Sequence, residues 1–245
     1  MDDKELFDEW PERYEQWFMT PIGKLVREIE GELVIDLLRP KAGERILDAG
    51  CGTGVFTLDF LTAGAGVVGL DISVPMLHFA RKKTAGYAFF ALRGDMVQLP
   101  FKDNSFDKAV SVTALEFIED AKDAVAELFR VVRPGGWVVV ATLNSLSPWA
   151  ARRKAKTERG QRHILEGAFF RSPDELLACS PYSGIAKTGS PDELLAGSIN
   201  PGIAKTVIHF QKDDKPDQAA KIEQTGTAQG LNTGAFVAVR WQKPG

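Results

Sequence analysis

Apolar positions fall at helical spacing early in the chain and in short continuous runs through its middle. Between residues 22 and 38, Ile22, Leu25, Val26, Ile29, Leu33, Leu37 and Leu38 share one helix stripe, which Pro40 and Gly43 bring to an end. Residues 4 to 18 predict a preceding helix. From residue 44 the pattern switches to buried-strand runs that alternate with helical segments. ERILDAG predicts a strand and 53–63 a helix; GVVGLDIS predicts a strand, with a helix from Pro75 to near Lys83. YAFFALRGD and FDKAVSVTAL predict the third and fourth strands. Residues 121–132 predict a helix, with Ala124, Val125, Leu128, Val131 and Val132 on its apolar face, and RPGGWVVVATL a turn into a fifth strand. Such alternation predicts an α/β fold: crossover units, a doubly wound parallel sheet and helices on both faces. Ligands of such sheets sit beyond the carboxyl ends of the strands, near the switch point in strand order.

The last third follows another pattern. PWAARRKAKTERGQR predicts an exposed basic helix and loop. GIAKTVIHFQK and GAFVAVRWQK predict an antiparallel pair that closes the sheet, separated by the polar stretch 212–232. SPDELLACSPYSGIAKT at 172–188 recurs as SPDELLAGSINPGIAKT at 190–206, identical at 13 of 17 positions. Each copy opens with a Ser cap, Pro at the first helical position and two acids in the first turn. The pair reads as a tandem duplication of one helix–strand unit that has a single place in the sheet. The second copy runs directly into VIHFQK, so its GIAKT is expected in the sheet and the tail of the first copy is expected to be an added loop.

Composition narrows the function classes. Of 245 residues, 44% are hydrophobic and 26% charged, as in ordinary globular proteins, and a net charge of −3 argues against gathering on nucleic acid by charge alone. No apolar stretch approaches the ~18 residues of a membrane span. The opening MDDKELFDEW lacks the basic start and apolar run of a secretory signal. Two cysteines and three histidines, all scattered, give neither a disulfide framework nor metal-ligand spacing. The expectation is a cytoplasmic, metal-free protein.

The strand ends carry the chemistry. In ILDAGCGTG the first strand ends with Asp48, Gly50, Gly52 and Gly54, spaced D-x-G-x-G-x-G. Glycines there let backbone approach a ligand. There is no Gly-Lys-Ser/Thr of a P-loop, and the third glycine comes one residue early for the dinucleotide fingerprint. The second strand ends at Asp71, whose carboxylate can accept from both ribose hydroxyls and repels a 2′-phosphate; NAD enzymes place an acid at similar spacing. The third ends at Asp95, positioned to accept from an adenine amino group, with Ile72 and Met96 as apolar walls. A row of acids with a glycine turn suits a cationic ligand without phosphate, and S-adenosylmethionine has that chemistry. Its one carboxylate can be met by backbone N–H groups at the helix start after Gly52.

ILDAGCGTG, VVGLDIS, GDMVQLPFKDNSFDKAVSV and VVRPGGWVVVAT resemble, in order, motifs of the class I S-adenosylmethionine-dependent methyltransferases. The group that includes the ubiquinone and menaquinone C-methyltransferases is the most similar, over roughly residues 40 to 145. The resemblance implies a Rossmann-like sheet of seven strands with the last antiparallel, S-adenosylmethionine as cofactor and S-adenosylhomocysteine as product. It implies cofactor contacts at Gly50, Gly52, Asp71, Ile72, Asp95, Met96 and Val112; Cys51 and Gly54 of the same turn join that set, Cys51 as a small packed residue and not a nucleophile. The expected divisions are a helical lid at 1–40, a cofactor-binding core at 41–145, and the rest of the same domain at 146–245.

The expected activity is in-line methyl transfer to a small-molecule acceptor. The rival readings are a cofactor-binding sensor or scaffold, a macromolecule methylase and an NAD-dependent oxidoreductase. No N-P-P-Y motif of the branches that methylate nucleic-acid amino groups occurs, so no nucleic-acid partner is expected; monomer and homodimer both stay open. The leaving group is already good, so few catalytic residues are needed. Many relatives carry a histidine after the fourth strand; here the candidates are Glu116, after that strand, and Asn144, ending the fifth. Phe7, Trp10, Tyr14, Trp17 and Phe18 make the N-terminal segment aromatic, either as an amphipathic helix or as a lid from which Tyr14 reaches the methionine tail. ARRKAK at 151–156 reads as a solvated face or, alternatively, as a site for an acidic group. His163 is expected on the surface or in a lid, and His209 in a structural role.

Overall fold

The computed structural model describes residues 10–158, 165, 167–182 and 202–245. Two helices lead into the sheet, each with proline in its first turn, where no N–H partner is lost: α1 (Pro11–Met19) and α2 (Pro21–Leu38). The Thr20 side chain accepts from the Gly23 N–H and caps α2, which ends on Arg39 in a left-handed conformation. Strands and helices then alternate: β1 (Arg45–Ala49), α3 (Thr57–Thr62), β2 (Gly66–Asp71), α4 (Val74–Lys83), β3 (Phe89–Arg93), β4 (Phe106–Val112), a 3₁₀ turn (Leu115–Phe117), α5 (Ala121–Val131) and β5 (Val132–Leu143). After these come α6 (Pro148–Glu158), α7 (Pro173–Leu177), β6 (Ile203–Val207), α8 (Pro216–Ala228) and β7 (Phe236–Gln242).

The seven strands are ordered β3-β2-β1-β4-β5-β7-β6, and β7 alone runs against its neighbours. Order reverses between β1 and β4, which is the switch point. Alternate strand residues feed two cores, as period-two geometry requires. On one face Ile46, Val67, Val110 and Val139 pack against α2 and α3; on the other Leu47, Leu70, Ala109 and Val140 pack against α5, with Leu176 of α7.

Three sequence expectations change. The polar stretch 212–232 contains α8, which was not expected. Its buried positions are Ala219, Glu223 and Gly226, so it lacks the branched apolar stripe by which the other helices announce themselves. The strand expected over GIAKTVIHFQK stops at Val207, because Ile208 takes φ 68, a conformation that breaks strand geometry. The turn expected at RPGG is instead the irregular start of β5, with a register shift against β4 between Phe106 and Lys108.

The duplication is divided between its copies. Helix α7 belongs to the first copy and opens on the expected Ser172 cap, which forms a capping box with Glu175. Strand β6 belongs to the second copy, which supplies the GIAKT of the sheet. The tail of the first copy and the SPDELLA of the second lie outside the described residues, as do Phe7 and His163.

Candidate functional site

The ends of β1 to β5 converge on one cavity of about 660 Å³, a volume in the range of small-molecule sites. Backbone hydrogen bonds hold its floor. The Gly50 and Cys51 N–H groups donate to the Leu70 carbonyl at 2.7 and 3.0 Å, and the Gly94 N–H donates to the Asp71 carbonyl at 3.0 Å, so three strand ends form one rim. Gly50 has φ 76, and a Cβ there would stand 2.3 Å from Cβ of Ala114; only glycine fits between the β1 and β4 loops.

Asp71 is held from both sides. Its Oδ2 accepts from the Gly52 N–H at 2.8 Å and its Oδ1 from the Ser73 N–H at 2.9 Å. Asp95 accepts from the Val97 N–H at 3.0 Å. Ile72, Met96 and Val112 line the cavity beside them, with Gly50, Cys51 and Gly52. Asp48 also reaches the cavity, and its Oδ2 accepts from the Thr57 hydroxyl at 2.6 Å, tying the glycine turn to α3. Burial raises its carboxyl to about 7. The Cys51 thiol is pushed up by burial, then by Asp48 and Asp71, so the thiolate a nucleophile needs is disfavoured.

Toward β4 and β5 the lining changes to aromatic groups and charges. Trp10, Tyr14, Trp17 and Phe18 of the N-terminal segment line the cavity, and the Tyr14 hydroxyl lies 3.5 Å from Thr113 Oγ1. Glu116 is buried; its Oε2 accepts from the Thr142 hydroxyl at 2.9 Å, and desolvation raises it to about 7. The backbone that carries it is fixed by Arg171, whose guanidinium donates to the carbonyls of Leu115, Ile118 and Glu119. Glu30 of α2 also lines the cavity, buried and raised to about 8 by desolvation. Trp149 and Arg153 of α6, and Ile208 and Lys212 of the loop after β6, complete this end. Thr113 and Ile208, at φ 49 and 68, are buried or half-buried β-branched residues in a left-handed conformation, a strain that gathers at ligand sites.

Two expected site residues do not join the cavity. Asn144 is buried, and its side chain is used up by the backbone: it donates to the carbonyls of Asn232 and Gly234 at 2.8 Å each and accepts from the Leu146 N–H at 3.0 Å. It fastens the end of β5 to the start of β7. Gly54 turns away against α4, where an added Cβ would meet Ala80 at 3.3 Å, so it serves close helix packing.

Residues 47–140 match the family model described as a methyltransferase domain. A malonyl-[acyl-carrier protein] O-methyltransferase of Pectobacterium atrosepticum is 35% identical over 163 residues, 64% of this chain and 60% of that protein. A demethylmenaquinone methyltransferase of Renibacterium salmoninarum is 40% identical over 109 residues, 44% of this chain and 45% of that one. The chain thus spans 60% or less of the length of either relative. The fold is shared with a Thermotoga maritima S-adenosylmethionine-dependent methyltransferase, possibly acting on histamine, at TM-score 0.69 and 23% identity, over 98% of this chain and 99% of that one. It is shared also with the phosphoethanolamine N-methyltransferase 2 of Haemonchus contortus, solved with S-adenosyl-L-methionine, at TM-score 0.62 and 16% identity, over all of this chain and 60% of that one.

The matched residues 47–140 contain the glycine turn, Asp71, Asp95 and Glu116. Outside them lie Glu30, Trp149 and Lys212, which sequence reasoning missed, and Arg153, which it had placed within ARRKAK with the alternative reading of a site for an acidic group. Glu30 had left a trace: it sits four residues after Val26 and three before Leu33, a carboxylate on the apolar stripe of its helix. Lys212, in a polar loop, had left none.

Proposed function

We propose that the chain transfers a methyl group from S-adenosylmethionine to a small-molecule acceptor by in-line displacement. One observation supports this most: a glycine turn and two carboxylates from three successive strand ends face a single cavity, inside a methyltransferase domain. Asp71 takes the ribose hydroxyls. Asp95 takes the adenine amino group, Ile72 and Met96 flank the ring, and the Gly50–Gly52 backbone meets the methionine tail. When bound, the cofactor supplies an electrophilic methyl on a good leaving group, so the protein's work is alignment and exclusion of water. The aromatic residues of α1 close the cavity on that side, with Tyr14 beside the tail. Glu116, raised close to neutrality, is the group that takes a proton where the acceptor must lose one.

The test is incubation with methyl-tritiated S-adenosylmethionine and a cell extract split into organic-soluble, small polar, nucleic-acid and protein fractions. Label in a small-molecule fraction, absent with Asp71→Ala, is expected. Label in the nucleic-acid or protein fraction would replace the small-molecule reading. Cofactor binding by titration with no label in any fraction would favour a sensor.

A further inference from the structure

Three cations line the cavity, Arg13, Arg153 and Lys212, and the last two lie together at its α6 end. Arg152 and Asp213 form an exposed pair at 3.0 Å. Their chain neighbours, Arg153 and Lys212, turn the other way and line the cavity. Among the described residues neither makes an ion pair within 4.0 Å. Lys212 Nζ lies instead 4.9 Å from the ring centroid of Trp149 and 5.6 Å from that of Trp17, and the Arg153 guanidinium 5.4 Å from that of Phe170. Indole faces hold a cation in place without neutralising it. Glu30 and Glu116 attract Arg153 from within the cavity, but desolvation raises them to about 8 and 7, so below those values their charge is reduced. Lys212 is lowered to about 8, by burial and then by the like charges of Arg153 and Lys156.

Arg153 is half-buried and Lys212 is exposed, and an anion entering the cavity would meet both, neither being held in an ion pair within 4.0 Å among the described residues. The Trp149 indole N–H donates to the Phe210 carbonyl at 2.6 Å and the Arg152–Asp213 pair spans the same two segments, so the cations are fixed on braced elements and do not swing from a free loop. Beside them the lining is apolar: Phe18, Val26, Phe117, Leu143, Ile208 and Ala235.

We propose that the acceptor is an amphiphile whose acid group, carboxylate or phosphate, is bound by Arg153 and Lys212 between the Trp17 and Trp149 indoles, with its apolar body toward Glu116. The assignment rests on the methyltransferase reading of the same cavity, and it makes Arg153 and Lys212 specificity-determining residues. Arg153 supplies a planar fork for an oxyanion and Lys212 a point charge.

The test uses the full chain loaded with S-adenosylhomocysteine and calorimetric titration of matched probes: octanoate against octanamide, 2-naphthoate against 2-naphthamide, and 2-naphthyl phosphate. Wild type is compared with Arg153→Gln, Lys212→Gln and the outward-facing control Lys154→Gln. At least one acid is expected to bind tenfold or more tightly than its amide. That preference should fall about tenfold in Arg153→Gln and severalfold in Lys212→Gln, and stay unchanged in Lys154→Gln, with S-adenosylhomocysteine binding equal in all four. Whether carboxylate or phosphate binds better names the acid. Equal binding of acids and amides, binding of no acid, or a preference that survives both substitutions would overturn the proposal. Failure of wild type to bind S-adenosylhomocysteine would instead remove the methyltransferase reading on which it rests.

Discussion

Asp71 has two duties at once, and its removal ends both. It orders the glycine turn through the Gly52 N–H and the start of α4 through Ser73, and in the proposed complex it also accepts from ribose. Asp71→Ala should weaken S-adenosylhomocysteine binding by about 1–3 kcal/mol, the range for hydrogen bonds to a charged group; an unchanged dissociation constant in calorimetry would show that the ribose lies elsewhere. Glu116→Gln keeps the hydrogen bond from Thr142 and loses the ability to take a proton. Its expected result is unchanged cofactor binding and a label-transfer rate about 10²–10⁴-fold lower, the usual worth of a general base. Equal rates would mean an acceptor that needs no deprotonation. At this scale the cofactor side was legible in the sequence because strand ends are local: each of Gly50, Asp71 and Asp95 stands within a few residues of an apolar run. Asn144 also follows one, yet it was absorbed by the Asn232 and Gly234 carbonyls, partners roughly ninety positions away that no local pattern announces.

Among the elements, the division of the duplicated unit is the informative case. The α7 helix of the first copy sits against the β6 strand of the second, so close that a Cβ on Gly202 would meet the Leu177 side chain at 2.8 Å. A short connector is therefore enough to join helix to strand. Deleting 172–189 joins Arg171 to Ser190 and supplies Ser190, Pro191, Glu193 and Leu194 in the positions of Ser172, Pro173, Glu175 and Leu176. The replacement carries Asn200 in place of Tyr182, which loses the edge contact between Tyr182 and Phe129, centroids 5.3 Å apart, worth about 0.5–1.5 kcal/mol beyond its area. The shortened chain is expected to melt in one cooperative transition, a few degrees below wild type, and to bind S-adenosylhomocysteine equally. Loss of the transition would show that the two copies are both required. The strand of this pair could be placed from sequence because it continues into an apolar run; nothing local distinguished one SPDELLA from the other. Helix α8 escaped for the opposite reason, since its buried side is alanine, glycine and a carboxyl, Glu223, that accepts from the His209 N–H.

For the whole molecule, the sheet order follows from strand alternation, whereas the far end of the cavity is assembled from α2, α6 and the loop after β6, segments that meet only in the folded chain. That assembly leaves a signature in stability. Glu30 is raised to about 8, Asp48 and Glu116 to about 7, all three chiefly by burial. In the unfolded chain the same groups lose their protons near the ordinary values of 4.5 and 3.8. Between those values and pH 7 to 8 the native state therefore holds more protons than the unfolded state, and stability falls as pH rises. Two other sets of groups bound this window. Asp36, Glu127 and Glu175 are lowered by their hydrogen bonds, so below the ordinary carboxylate range stability falls as pH drops. Lys212, lowered to about 8, is deprotonated in the native state before it is in the unfolded state, so its burden eases above pH 8. Thermal melts should thus show a maximum Tm near about pH 5 and a decline to pH 8. Glu30→Gln should raise Tm at pH 8, change it little at pH 5, and so flatten the decline. A Tm that rises from pH 5 to 8 would mean that these carboxyls ionise freely in the native state, and with that would go their reduced charge beside Arg153.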